Sequence, residues 1–209
     1  MSKSFPPVLF AAVLALIAAP AAQAALVTTL YGTGLKADGT PQVGGGTDAH
    51  YVVVENGLAS ALVLSNPPSS YFANNAQSQW IWQQADGLPA NVTRTFRTTF
   101  DLTGFDHTTA SIAGLWGTDN TGEDILINGV STGIALPGFA QSNFRQLHAF
   151  SIVKDFQAGI NTLDFRVRDT GVLSAFRAQL TGTVPEPGTL MLAALGLFAA
   201  AAGRARKPN

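Results

Sequence analysis

The chain has no cysteine in its 209 residues. That excludes a disulfide framework, a thiolate metal site and a cysteine nucleophile. Charge is sparse too: 12% of residues are charged, and histidine occurs only at His50, His107 and His148. These histidines are isolated from one another, with no HExxH or comparable ligand spacing. There is no Gly-x-Ser-x-Gly elbow. No glycine-rich loop runs from a strand into a helix with a following Lys-Ser/Thr, as a phosphate cradle requires. Between residues 25 and 183, eight basic side chains stand against twelve acidic ones. That mildly acidic balance gives no electrostatic footprint for nucleic acid. Helical periodicity is absent from the same stretch.

The long apolar runs lie at the two ends. Near the start, Lys3 and the free amine precede an uncharged stretch at residues 8–19, followed by Ala22-Gln23-Ala24. A basic n-region, an apolar h-region and a small-x-small site make residues 1–24 a signal peptide cut after Ala24, handled by the general secretion machinery. At the other end, residues 184–209 read VPEPGTLMLAALGLFAAAAGRARKPN. Pro185 and Pro187 each fix φ and lack an N–H, so the Pro-Glu-Pro triplet ends any preceding strand and stays extended. Residues 190–202 carry no charge, and Arg204, Arg206 and Lys207 follow. As a helix, residues 189–203 span roughly 22 Å at ~1.5 Å per residue. The hydrocarbon core is ~30 Å thick, a shortfall that the basic residues could meet by snorkelling while the bilayer thins locally. That basic cluster is expected to stay cytoplasmic. Residues 25–183 are left as a single domain between the two segments.

The triplet Pro185-Glu186-Pro187, the Leu/Ala/Gly apolar run and the terminal Arg204, Arg206, Lys207 cluster resemble a PEP-CTERM sorting signal. Ala205 splits the arginines, a slightly weaker cluster than a solid run. The resemblance implies an exported bacterial protein, mostly of Gram-negative hosts, held in the inner membrane by this tail. It implies recognition by an exosortase near the triplet, release to the cell surface or extracellular matrix, and a link to exopolysaccharide and biofilm.

The middle reads as all-β. In residues 92–102, Val92, Phe96, Phe100 and Leu102 share one face, and Thr93, Thr95, Arg97, Thr99 and Asp101 share the other. Leu163, Phe165 and Val167 alternate with Asp164, Arg166 and Arg168; Phe176, Ala178 and Leu180 alternate with Arg177, Gln179 and Thr181. Further strands are expected at 26–31, 51–55, 61–64, 79–83, 110–116, 124–127 and 147–153. Asn128-Gly129 marks a hairpin turn. Short strands punctuated by Gly, Pro and Asn make a sandwich or barrel, and one-sided strands need a second sheet to cover them. The loops at 32–48 and 66–78 read as surface connections.

Residues 116–133 and 156–169 resemble the galactose-binding-like jelly roll. That superfamily pairs a strand ending in Asn-Gly with a later Gly-x-Asn-x-Leu strand, filled here by Ile127-Asn128-Gly129 and Gly159-Ile160-Asn161-Thr162-Leu163. The resemblance implies a single β-sandwich with its site in the loops at one end. It carries no catalytic residue across.

Two constellations remain as candidates. Trp80 and Trp82, two apart on a strand, could form a sugar platform with Tyr71, Phe72 and Trp116, or could pack as core. Asp119-Asn120-Thr121-Gly122-Glu123-Asp124 offers oxygen ligands around a glycine, with Asp119, Glu123 and Asp124 as candidate ligands for a structural calcium ion. A solvated turn is the alternative. No other cofactor is expected. Two functions follow: a non-catalytic envelope or matrix protein that binds or organises exopolysaccharide, or a secreted carbohydrate-active hydrolase with a carboxylate pair not yet identified. If the triplet is a recognition site, Glu186→Ala should leave export intact and strand the protein in the membrane at full tail length. Immunoblots of fractionated native-host cells would measure this, and wild-type processing of the variant would reduce the tail to an ordinary anchor.

Overall fold

The computed structural model describes residues 24–137 and 142–185. Eleven strands account for a little under half of them. They are β1 (Ala24–Leu26), β2 (Thr47–Val53), β3 (Ala59–Val63), β4 (Ile81–Trp82), β5 (Thr93–Asp101), β6 (Ser111–Asp119), β7 (Thr121–Ile127), β8 (Val130–Ser131), β9 (His148–Ile152), β10 (Ile160–Arg168) and β11 (Ala175–Pro185). A single four-residue helix, α1 (Ser142–Arg145), precedes β9. The strands form where side-chain period is two. Along β10, Leu163, Phe165 and Val167 are buried, while Arg166 and Arg168 are exposed.

All strand pairs are antiparallel and follow one hydrogen-bonded path, β8-β7-β10-β5-β2-β3-β4-β11-β6-β9, with β1 added on β11. The path turns over at the short β3–β4 pairing, so β7, β10, β5, β2 and β3 face β4, β11, β6 and β9. Ring contacts between strands that share no hydrogen bonds define the facing. Phe165 on β10 lies 4.8 Å from Phe176 on β11, and Phe96 on β5 lies 5.0 Å from Phe176. From β5 onward the main strands alternate between the layers, β5 to β6 to β7, then β9 to β10 to β11. This winding makes the domain a jelly-roll β-sandwich.

The expected hairpin is present. Ile127 pairs with Val130 around Asn128 and Gly129, both with positive φ (50° and 79°). Asn128 also receives the N–H of Thr162 and donates to Asn161, tying the two motif segments side by side.

Strand direction gives the sandwich two distinct ends. Ala175 of β11 pairs with Asp119 of β6 at one end, and Thr183 pairs with Ser111 at the other. Beyond Thr183, the last residues of β11 pair with β1, Ala24 opposite Pro185. The strand thus ends at the first proline of the triplet. Ala22, Glu186, Pro187, Arg204, Arg206 and Lys207 lie outside the described residues, as does the expected apolar helix at 190–202. Among the described residues, no helix is long and apolar enough to cross a membrane.

The two long loops are more tightly held than their composition suggests. In the 32–48 loop, buried Asp48 accepts the backbone N–H groups of Gly34 (2.6 Å), His50 (2.7 Å) and Tyr51 (3.1 Å). Burial outweighs these donors and pushes the carboxyl up to about 6. The fold therefore holds this proton more tightly than the unfolded chain does. The stability that Asp48 contributes is fully present below its unfolded value near pH ~4 and is lost as pH rises through about 6. Wild type should lose on the order of 2–3 kcal/mol more than Asp48→Asn between pH ~4 and ~7, read from denaturant melts. Parallel pH profiles for the two proteins would disprove this origin.

Candidate functional site

The aromatic platform expected from Trp80, Trp82 and Trp116 is not at the surface. All three side chains are fully buried. Trp82 packs 5.2 Å from Phe96 in the opposite layer and donates its indole N–H to the Pro89 carbonyl. Trp80 donates to the Phe72 carbonyl, and its ring meets Tyr71 edge-on at 4.9 Å. Trp116 lies across the interface, 5.8 Å from Phe165. Two-residue spacing does not yield an exposed shared face here: Trp80 packs beneath loop 66–79 and Trp82 against the opposite layer, so both are dry.

The carboxylates of the acidic run 119–124 are not gathered into one loop. The run is the end of β6 and the start of β7, which belong to opposite layers. Gly122 sits within a strand, where a Cβ would come 2.3 Å from the Trp116 ring, so glycine is required for packing. The register shifts between Arg166 and Val167, opposite Asp124 and Gly122, leaving Glu123 as the extra residue of a bulge. Glu123 pairs with Arg166 at 2.8 Å on the outer face. Asp119 is turned the other way, toward Tyr71. No group of three His, Asp or Glu side chains among the described residues is placed to hold a metal ion.

Two of the predicted residues do meet, at the end of the sandwich where β6 finishes and β11 begins. Tyr71 and Asp119 line a cleft of about 440 Å³ together with Pro68, Asn120, Phe144 and Val172. The Tyr71 hydroxyl donates to Asp119 Oδ2, and the Asn120 side-chain amide donates to Asp119 Oδ1 at 2.5 Å. Asn120 Oδ1 in turn accepts from the backbone and hydroxyl of Thr170 (2.9 and 3.0 Å). Tyr71 and Phe144 are tilted against each other at 5.0 Å, making an aromatic wall beside these polar groups. Burial raises the Asp119 carboxyl, and the neighbouring Asp169 charge adds to that, while the bonds from Tyr71 and Asn120 oppose it. Burial also raises the Tyr71 phenol, with its bond to Asp119 adding to the effect, so it stays a hydrogen-bond donor. Asp169 does not line this cleft: it is buried, accepting the backbone N–H groups of Asn91 and Gly171.

Sequence reasoning missed Asn120 and Phe144 as lining residues, and it missed Arg177 behind the wall. Alternation along β11 predicts Arg177 on a solvated face, yet it is fully buried. Its guanidinium donates to Ser78 Oγ (2.8 Å) and to the carbonyls of Phe72 (3.1 Å) and Ala73 (2.6 Å). With no carboxylate among these partners, burial pushes its pKa down to about 10. Arg177 therefore clamps loop 66–79 to β11 and positions Tyr71 at the cleft. No local sequence signal marks it, because the clamp joins residues about a hundred positions apart.

At the other end of β11, residues 183–207 match the PEP-CTERM protein-sorting motif. The chain carries a sorting signal. The motif marks an exported protein handled by an exosortase, and it begins while the chain is still in β11. Comparison with curated proteins gives no match. Among solved structures, the chain is similar to CBM35 from Paenibacillus barcinonensis, at 14% identity and TM-score 0.36, over 66% of this chain and 94% of that one. The sorting motif and the cleft thus occupy opposite ends of one strand. The burial of the tryptophans is directly testable. Trp82→Ala should cost ~3–5 kcal/mol of unfolding free energy in denaturant melts; an unchanged melt would return Trp82 to the surface.

Proposed function

We propose that this protein is a non-catalytic component of the bacterial cell surface or extracellular matrix that binds polysaccharide through the cleft at the Asp119 end of its sandwich. In this reading it passes through the general secretion machinery and is held in the inner membrane of a Gram-negative cell. It is then processed by an exosortase. The sorting motif carries export and processing. The observation that carries binding is the pairing, in one cleft, of an aromatic wall with a carboxylate–amide pair. Sugar rings present apolar C–H faces and rims of hydroxyls. Tyr71 and Phe144 suit the faces. Asp119 and Asn120 retain lone pairs and an N–H beyond those used within the protein, and these suit the hydroxyls.

The same cleft favours binding over hydrolysis. Glycoside hydrolysis needs two carboxyl groups flanking the bond. Among the described residues, Asp119 is the one carboxylate lining this cleft. The nearby Asp169 is committed to backbone donors and is 1% exposed.

The test is a glycan-binding screen on the sandwich, residues 24–185, followed by calorimetry on any hit. Phe144 is only partly buried, so Phe144→Ala should weaken binding by at least about tenfold, or ~1.4 kcal/mol, with little loss of melting temperature. Binding unaffected by Phe144→Ala would remove the cleft from the proposal. Release of new reducing ends from a bound polysaccharide would favour the hydrolase instead.

A further inference from the structure

The two ends of the sandwich differ in connectivity. We infer that the end carrying β1 and the close of β11 is a membrane-contacting surface, seated on the interfacial layer of a lipid bilayer with the cleft facing away. The inference rests on the membrane-held stage of the sorting reading and is independent of whether the cleft binds sugar.

The first support is connectivity. Ala24 pairs with Pro185, so both chain ends leave the sandwich side by side, from neighbouring strands. An apolar run begins at Leu190, five residues beyond Pro185. Five residues reach at most about 18 Å. The ten steps from Ala175 to Pro185 carry the chain about 33 Å along β11. An inverted sandwich, cleft toward the lipid, would lift Pro185 farther from the bilayer than its tether allows. The tether therefore leaves only an upright or a side-lying domain.

The second support is the surface itself. Four large apolar side chains are exposed at this end: Leu26 (61%), Val130 (50%), Val153 (67%) and Ile160 (58%). Single exposed apolar residues are ordinary. Phe72, Leu88 and Val172 are exposed at the cleft end too, so what distinguishes these four is that they stand at the tethered end, where hydrogen bonds tie their segments together. Asn128, beside Val130, donates to the Asp155 carbonyl (3.0 Å) and to Asn161 (2.9 Å), joining the segments of Val153 and Ile160. Asp101, paired with Ile160, donates its backbone N–H to Thr29 (2.9 Å), three residues after Leu26. The charges here are Asp101, Asp106 and Asp155 against Lys154, a balance that gives anionic lipid no electrostatic attraction. The contact is therefore apolar, and the net negative charge of this end means that anionic lipid weakens it rather than strengthens it.

The absence of cysteine makes the test clean, since each single-cysteine variant carries one label. The full chain would be made as Val153→Cys, Ile160→Cys and Val172→Cys. Val172 is 88% exposed at the cleft end. Each variant would carry an environment-sensitive fluorophore. It would be reconstituted into phosphatidylethanolamine–phosphatidylglycerol vesicles containing lipids brominated near the headgroup end of the acyl chains. Quenching at 153 and 160 should exceed that at 172 by at least about twofold, and extra phosphatidylglycerol should not increase it. Equal quenching at all three sites means a domain lying on its side and overturns the inference. No quenching in a chain that floats with the vesicles overturns it too, leaving the tail as the sole membrane contact. A chain that does not float at all overturns the membrane-held reading beneath it as well.

Discussion

The structure depends on the aromatic contact between its two layers. Phe176 of β11 touches Phe96 of β5 and Phe165 of β10, and Phe165 touches Trp116 of β6. None of these contacts follows a strand pairing. Without them the long hydrogen-bonded path would be an open ribbon with one wet apolar face. Close packing of large rings fixes the layers' spacing and their relative registry. It also dictates details elsewhere: Gly122 has no side chain because the Trp116 ring occupies that space. With no disulfide to assist, this interface carries the stability of an exported domain.

β11 transmits that constraint to both functional ends. At its start, Ala175 stands opposite Asp119, whose carboxylate is organised by Tyr71 and Asn120. Two residues on, Arg177 clamps the loop that supplies Tyr71. The side chain then alternates inward to Phe176 and Ala178, and the last residues run through Val184 into the Pro-Glu-Pro triplet. One continuous strand thus links a preorganised cleft to a sorting signal.

The candidate site gains its character from burial. A carboxylate, an amide and a phenol in contact, mostly shielded from water, are held in one geometry before any ligand arrives. Preorganised groups lose little entropy on binding, and their electrostatic interactions are stronger away from water. The neighbouring aromatic wall supplies apolar area. Asp169, packed just behind, adds negative charge to the cleft without lining it.

Much of this protein was legible in its residues. Alternation at residues 92–102 and 163–167, the Asn128-Gly129 turn and the triplet at 185–187 are local signals, since each depends on side-chain period, backbone freedom or proline chemistry within a few positions. They sufficed for a β-sandwich and a sorting tail. They did not suffice for the site. Whether Trp80 and Trp82 face sugar or core depends on what covers each of them: loop 66–79 covers Trp80, and Phe96 of the opposite layer packs on Trp82. Whether Asp119, Glu123 and Asp124 converge depends on a bulge and on which layer each strand joins. Arg177 looked solvated because alternation cannot register a loop folding over it. Strand identity and export were set by the sequence itself, through local chemistry. The cleft, its carboxylate and the direction it faces came only with tertiary structure, because each is made by contacts between residues far apart in the chain.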